Sequence, residues 1–205
     1  MRFHDYLEQI FSVPTSISLI KALVRYRGKV FTIRGLSRVA HVSPSQSALI
    51  TKKLEKLGVV RVQPVGRSAL VSLNEESYIL NRIMRPMIRA EEGTLNELLS
   101  VLRRNLGKDK IVSAILFGSI SRREEREDSD IDLLVISNDF EYASRLLSKA
   151  GEQVYSIFCN RLSPMIMSER ELRLKRKSDL LKSIEASHTN VAGRPLEEIL
   201  KREND

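Results

Sequence analysis

From Pro14 to Tyr26 the apolar residues Ile17, Ile20, Leu23 and Val24 recur at helical spacing, and Gly28 just beyond them stops the helix. Lys29-Val-Phe31 has room for no more than a short strand. Thr32 then predicts an N-cap for a second helix with Leu36, Val39 and Ala40 on its inner face. Ser43-Pro44 supplies another cap, with proline at the first helical position, for a third helix that ends at Gly58. In that third helix Ser47, Ile50, Leu54 and Leu57 share one face and are expected to pack inward, which turns Ser45, Gln46, Leu49, Lys52 and Lys53 outward. After Gly58, Val59–Pro64 and Ala69–Leu73 read as two strands around a Gly66-Arg67-Ser68 turn.

From Glu75 to about Leu106 the pattern is helical again, with Leu80, Ile83, Met87, Leu95, Leu98, Leu99 and Leu102 near heptad intervals. Asn74 is the expected cap, Pro86 the expected kink, and Gly93 a point where the segment divides into two helices. The apolar stripe faces either a second copy of the chain or the chain's own C-terminal part, and the pattern leaves both open. An apolar run Ile115–Ser119 is broken by Gly118-Ser119, and a second run follows Asp128-Ser-Asp-Ile-Asp132. Phe140–Ala150 is expected to be a helix, Gln153–Cys159 the next strand, and Ser168-Glu-Arg-Glu171 the capping box of a long helix reaching about Ala186. The expectation is two domains, mainly α with a β-hairpin over residues 1–74 and α/β with a small mixed sheet over residues 108–205, joined by helices over residues 75–107.

Charge sharpens this division. Residues 1–74 carry twelve Lys or Arg against the acids Asp5, Glu8 and Glu55, a net +9, whereas residues 75–205 sum to −1. Such asymmetry points to duplex DNA or another anionic partner for the first third, the alternative being a merely soluble basic face. An exposed helix face with Gln46 near its N-terminal end suits the major groove, since Gln pairs bidentately with adenine and lysine reaches phosphate; Arg67 at the hairpin tip can hold a phosphate or enter the minor groove. No apolar run approaches the ~18 residues of a membrane span. The N-terminus lacks a secretory apolar core, and Cys159 stands alone, which suggests a buried thiol in a cytoplasmic protein. His4, His41 and His188 have no zinc spacing and read as structural or surface residues.

The candidate chemistry lies in the second run. A strand sends alternate side chains to one face, so Asp130 and Asp132 point together while Ile131, Leu133 and Val135 point away. Two aligned carboxylates suit a hard cation, Mg²⁺ or Mn²⁺, that takes its remaining ligands from water and substrate phosphates. Gly118 permits close backbone approach to a phosphate, and Ser119 can donate to it. Arg122, Arg123 and Arg126 lie between the two halves; Arg122 and Arg126 are the expected phosphate contacts, and at least one of the three is expected only to pair with Glu124, Glu125 or Glu127. The run Arg170, Arg173, Lys175, Arg176, Lys177 reads as a solvated face or an approach to a nucleotide or nucleic acid.

Gly118-Ser119, ten intervening residues and Asp130-Ile-Asp132 resemble the signature of the nucleotidyltransferase superfamily of DNA polymerase beta type, and within it the minimal nucleotidyltransferases. Gly193–Leu200 resembles that family's closing helix. The resemblance implies a nucleoside triphosphate with Mg²⁺, and a third carboxylate on the next strand. In the expected strand Gln153–Cys159 that place falls to Ser156, with Glu152 at the edge. The N-terminal helices and hairpin resemble a winged helix-turn-helix of the MarR-like and ArsR-like regulators, carried by Val42-Ser-Pro-Ser-Gln-Ser and Leu54–Val60; a winged helix used for protein contact is the alternative. Together these imply a DNA-binding regulator, expected as a homodimer, whose C-terminal domain binds a metal nucleotide as sensor or assembly domain. The other reading is an active transferase, as in related antitoxins that modify a toxin partner with AMP.

Overall fold

Side-chain caps at Thr32 and Ser43 set two helices of the N-terminal part where the sequence places them. The structure, a computed structural model, describes residues 10–126 and 128–201; His4, the rest of the N-terminal octapeptide and Glu127 lie outside the described residues. The chain divides into two compact units, Met1–Gly93 and Thr94–Asp205, so that residues 75–107 are shared between them.

The first unit runs α1 (Pro14–Arg25), β1 (Phe31–Thr32), α2 (Ile33–Val39), α3 (Pro44–Lys56), β2 (Val60–Val65) and β3 (Ser68–Leu73). The Thr32 hydroxyl accepts from the Gly35 amide at 3.0 Å and the Ser43 hydroxyl from the Gln46 amide at 3.2 Å. Each such cap is worth about 1 kcal/mol. The strands form one antiparallel sheet in the order β1-β3-β2, with Val65 paired to Ser68 across a two-residue turn, Gly66-Arg67. Leu19, Ile20, Leu23, Leu36, Ile50, Leu54, Val60 and Val71 share one core. Ser47, Ile50, Leu54 and Leu57 are all buried, and Thr51 joins them.

A π-helical turn (Leu80–Met84) leads into α4 (Arg85–Leu106). Pro86 explains the irregularity: it lacks an N–H and its ring collides with the carbonyl four residues back, and a widened turn just ahead relieves both. Two expectations need correcting. Asn74 does not cap the helix, because its amide donates to the Gly58 carbonyl at 2.8 Å and its oxygen accepts from Arg61; the hydroxyl of Ser77 meets the Leu80 amide instead. Nor does Gly93 divide the segment, since α4 continues through it. The apolar stripe is largely used within the chain: Leu80 and Ile83 belong to the first core, and Leu98, Leu99 and Leu102 to a core of the second unit. Met87 and Leu95 are its exposed members.

The second unit contains β4 (Ser113–Leu116), α5 (Gly118–Arg122), β5 (Ile131–Ile136), α6 (Phe140–Phe158), β6 (Leu162–Met167), α7 (Glu169–Leu174), α8 (Asp179–Ala186), β7 (Thr189–Gly193) and α9 (Leu196–Lys201). Its four-stranded sheet has the order β6-β5-β4-β7, with β5 and β6 parallel and the other pairs antiparallel. Both faces are covered. On one, Leu116, Leu133 and Val135 meet Leu102, Leu147 and Val154; on the other, Ile115, Leu134 and Ile136 meet Leu172, Leu181, Ile184 and Ile199. Strand β7 went unread in the sequence. It ends at Gly193, at φ +77°, where an added Cβ would lie 2.3 Å from the Val112 carbonyl oxygen.

Three further expectations fail here. Residues 153–158 are not a strand but the end of α6, because Ala143, Leu147, Ala150 and Val154 continue one buried helical stripe past Ala150. Cys159 is exposed, at φ +58° in the C-cap position of that helix, not buried. The capping box at Ser168 and Glu171 is present, but its helix stops at Leu174, and Ser178 caps a separate α8 by accepting from the Leu181 amide at 3.3 Å. No helix among the described residues is long and apolar enough to cross a membrane.

Candidate functional site

Asp132 sits on β5 and Asp130 just before it, and the strand's pleat brings both to the face that carries Leu134 and Ile136. The Phe117 amide donates to the Asp132 carbonyl at 3.0 Å, which sets the end of β4 beside the carboxylates. Gly118 follows at φ +78°, and a Cβ there would lie 2.0 Å from Asp132 Oδ2. The glycine is therefore required by Asp132 itself: its missing side chain is the space that the carboxylate fills. Burial and the neighbouring Asp130 charge push the Asp132 carboxyl above the usual range, and Arg122 pulls it down only in part. Arg122 is also engaged elsewhere, donating from Nε to Glu124 at 2.9 Å.

The turn ahead of β5 is tied from both ends. The Ser129 hydroxyl accepts from the Arg126 amide at 2.8 Å, the Asn160 amide donates to the Ser129 carbonyl at 3.1 Å, and the Ile131 amide donates to the Arg161 carbonyl at 2.8 Å. Ser119 is half-buried in α5, and its hydroxyl makes no hydrogen bond among the described residues. The Arg126 side chain is exposed. Two residues that the sequence did not single out brace this region: Ser121 donates to the carbonyls of Gly118, at 2.9 Å, and Ser187, at 3.1 Å.

The strand beside Asp132 is β6, and the residue in register with Asp132 is Ser163. Parallel partners point to the same face, so the residue beside Asp132 on the next strand is Ser163, and Ser156 lies on α6 instead. Glu152 belongs elsewhere: it lines a groove with Leu162, Pro164 and Ile166, on the sheet face covered by α6 and opposite the aspartates. Among the described residues no group of three His, Cys, Asp or Glu is placed to hold a metal ion. The donor set still fits one hard divalent cation, because two carboxylates lie close enough to repel and Arg122 offsets that repulsion only in part. Asp130 and Asp132 would hold it.

On the first unit, Ser45, Gln46, Leu49 and Lys52 are exposed on α3, Leu49 at 69%. Lys53 departs from the expectation; it is half-buried and its ammonium donates to the Ser12 hydroxyl at 3.2 Å. Arg67 stands exposed at the hairpin turn. It shares an open groove of about 810 Å³ with Thr32, Arg34, Pro44, Ser45 and Ser68. Arg34 was not read from the sequence, because its place on a short helix gave no sign that it faces the same groove as the hairpin. His41 is exposed, and His188 is held by the Ile184 carbonyl at 2.8 Å and by Glu197 at 3.2 Å.

A family model described as nucleotidyltransferase domain matches residues 95–204. The chain is similar to the "Putative protein adenylyltransferase" of Methanocaldococcus jannaschii, with 35% identity over 72 residues that make up 33% of this chain and 71% of that protein. Among solved structures it is similar to a toxin-antitoxin with AMP-PNP, at 19% identity over 52% of this chain and 81% of that one, with a TM-score of 0.37. It is also similar to a MarR-family transcriptional regulator from Rhodococcus sp. RHA1, at 20% identity over 44% and 71% of the two chains, with a TM-score of 0.33.

Proposed function

The chain belongs to the nucleotidyltransferase domain family, and from that premise we propose that it is a DNA-binding regulator whose C-terminal unit binds a divalent-metal nucleoside triphosphate. The observation that carries the nucleotide half is Asp132 lodged against Gly118 with Asp130 close enough to repel it. Asp130 and Asp132 hold the cation, which neutralises triphosphate charge; the free Ser119 hydroxyl donates to phosphate, and Arg126 stands free to approach it. Arg122 is a weaker candidate, because Glu124 already occupies it.

The DNA half rests on the exposed α3 face, the hairpin turn and the concentrated charge of residues 1–74. In this reading α1–α3 with β1–β3 are a winged helix-turn-helix, α3 its recognition helix and Arg67 the tip of its wing. Ser45, Gln46 and Leu49 meet base edges, and Lys52, Arg67 and Arg34 meet phosphates. Lys53 contributes less, being held by Ser12. Equilibrium binding of the whole chain to duplex DNA across a salt series is expected to give log K falling with log salt by roughly 0.9 per neutralised phosphate. Lys52→Ala should lower that slope by about one unit without altering sequence preference. Affinity flat with ionic strength removes the phosphate-contact reading.

The relative's name favours a second reading, transfer of a nucleotidyl group from the triphosphate to a protein hydroxyl with release of pyrophosphate. What weakens it is Ser163, where an acid would supply a further metal ligand and a base for the attacking hydroxyl. Incubation with ATP labelled at the α-phosphate separates the two readings. Label transfer or pyrophosphate release from the native chain, lost in Asp130→Ala with Asp132→Ala, establishes the transferase. If only Ser163→Asp releases pyrophosphate, the native chain is a binding protein that lacks one carboxylate.

A further inference from the structure

The turn joining α7 to α8 concentrates positive charge that the nucleotide site does not use. Basic and acidic side chains balance over Thr94–Asp205, yet residues 168–182 carry six basic and three acidic ones, which leaves the rest of that unit at −3. All three acids of the segment are occupied. Glu169 meets Arg173 at 3.6 Å and Arg194 at 3.1 Å, Glu171 accepts from the Ser168 amide and hydroxyl in the capping box, and Asp179 meets Lys182 at 3.4 Å. Arg170, Lys175, Arg176 and Lys177 are exposed and form no ion pair within 4 Å among the described residues, although the Lys175 charge helps to lower the Glu171 carboxyl.

The backbone fixes three of these four on one tight turn. The Lys175 amide donates to the Glu171 carbonyl at 3.0 Å, the Arg176 amide to Arg173 at 3.2 Å and the Ser178 amide to Lys175 at 2.8 Å. Like charges held this close repel, and a polyanion relieves the repulsion. Beside the turn lies an open groove of about 470 Å³ lined by Asn138, Glu169, Arg170, Arg173 and Leu174, the last 76% exposed. This is the end of β5 and β6 opposite to Asp130 and Ser163, since Asn138 and Glu169 follow the strands' C-termini whereas Asp130 precedes β5. The groove is thus separate from the nucleotide site.

We propose that the α7–α8 turn is a second nucleic-acid surface, in which Arg170, Lys175, Arg176 and Lys177 contact the phosphodiester backbone of the DNA that the chain binds. Lysine and arginine on a short turn suit contacts to phosphate, which position a backbone and carry no sequence information. The proposal shares its ligand with the winged-helix reading but not its residues, and one experiment separates them. In the full-length protein, Arg170, Lys175, Arg176 and Lys177 are replaced by alanine together, and duplex binding is measured across a salt series beside Lys52→Ala with Arg67→Ala. The fourfold variant is expected to lose about two to four units of the log K against log salt slope, at roughly 0.9 per phosphate, and to bind at least tenfold more weakly at low salt. The swap Arg170→Lys, Lys175→Arg, Arg176→Lys, Lys177→Arg should keep the native slope, which shows that charge and not folding is the cause. An unchanged slope in the fourfold variant, with a reduced one in the α3 and hairpin variant, overturns this surface and leaves the winged helix standing. The converse result keeps this surface and overturns the winged-helix contacts. Loss of slope in the charge-preserving swap as well assigns the turn a structural role and overturns the proposal.

Discussion

Gly118→Ala is expected to abolish metal-dependent nucleotide binding while costing the fold about 1–3 kcal/mol. The stability term has two parts. At φ +78° an alanine is strained, and its Cβ, 2.0 Å from Asp132 Oδ2 and 2.9 Å from Cγ, forces the carboxylate out of its seat. A turned Asp132 no longer shares a cation with Asp130, so binding suffers more than folding does. Calorimetric titration with MgATP and denaturant melts on the same variant measure the two effects separately. Gly66→Ala is the control: its φ is also positive, +56°, but nothing lies within 4 Å of the added methyl, so only backbone strain remains. Near-native MgATP affinity in Gly118→Ala would show that the close fit of Asp132 has no part in binding.

The sequence disclosed Gly118 but not its close fit against Asp132. Its spacing from Asp130 and Asp132 is local, and so are the caps at Thr32, Ser43 and Ser168, where one hydroxyl meets an amide three residues on. Features of that range can be read along the chain. Strand partners cannot. Gln153–Cys159 alternates well enough to pass for a strand, yet its apolar residues extend the stripe of α6, and only the parallel register of β5 with β6 identifies Ser163 as Asp132's neighbour. Strand β7 is hidden for the same reason, because Thr189–Gly193 has little apolar pattern of its own and pairs with β4 across most of the unit. Arg34 and Ser121 owe their places to groups that the fold brings to them from a distance, in Ser121's case the Ser187 carbonyl 66 residues on.

Asp130→Asn separates a site kept for a ligand from a pair kept for the fold. Without a bound cation, burial and then repulsion by the Asp130 charge disfavour the charged form of Asp132, and Arg122 offsets them only in part, so its carboxyl is pushed up and not down. Removing the Asp130 charge removes that repulsion, and the variant should melt at the native temperature or slightly above it. Binding should move the other way. Loss of a direct cation ligand is expected to weaken MgATP binding by more than the roughly 10–100-fold that accompanies loss of an outer-shell partner. The same logic predicts that Mg²⁺ with ATP raises the melting temperature of the native chain and not of Asp130→Asn, since a ligand stabilises only the state that binds it. Should Asp130→Asn instead melt well below the native protein, the Asp130 charge serves the fold and not a ligand. If its melting temperature holds while nucleotide protection disappears, the pair is a strained site that the fold tolerates because a cation completes it.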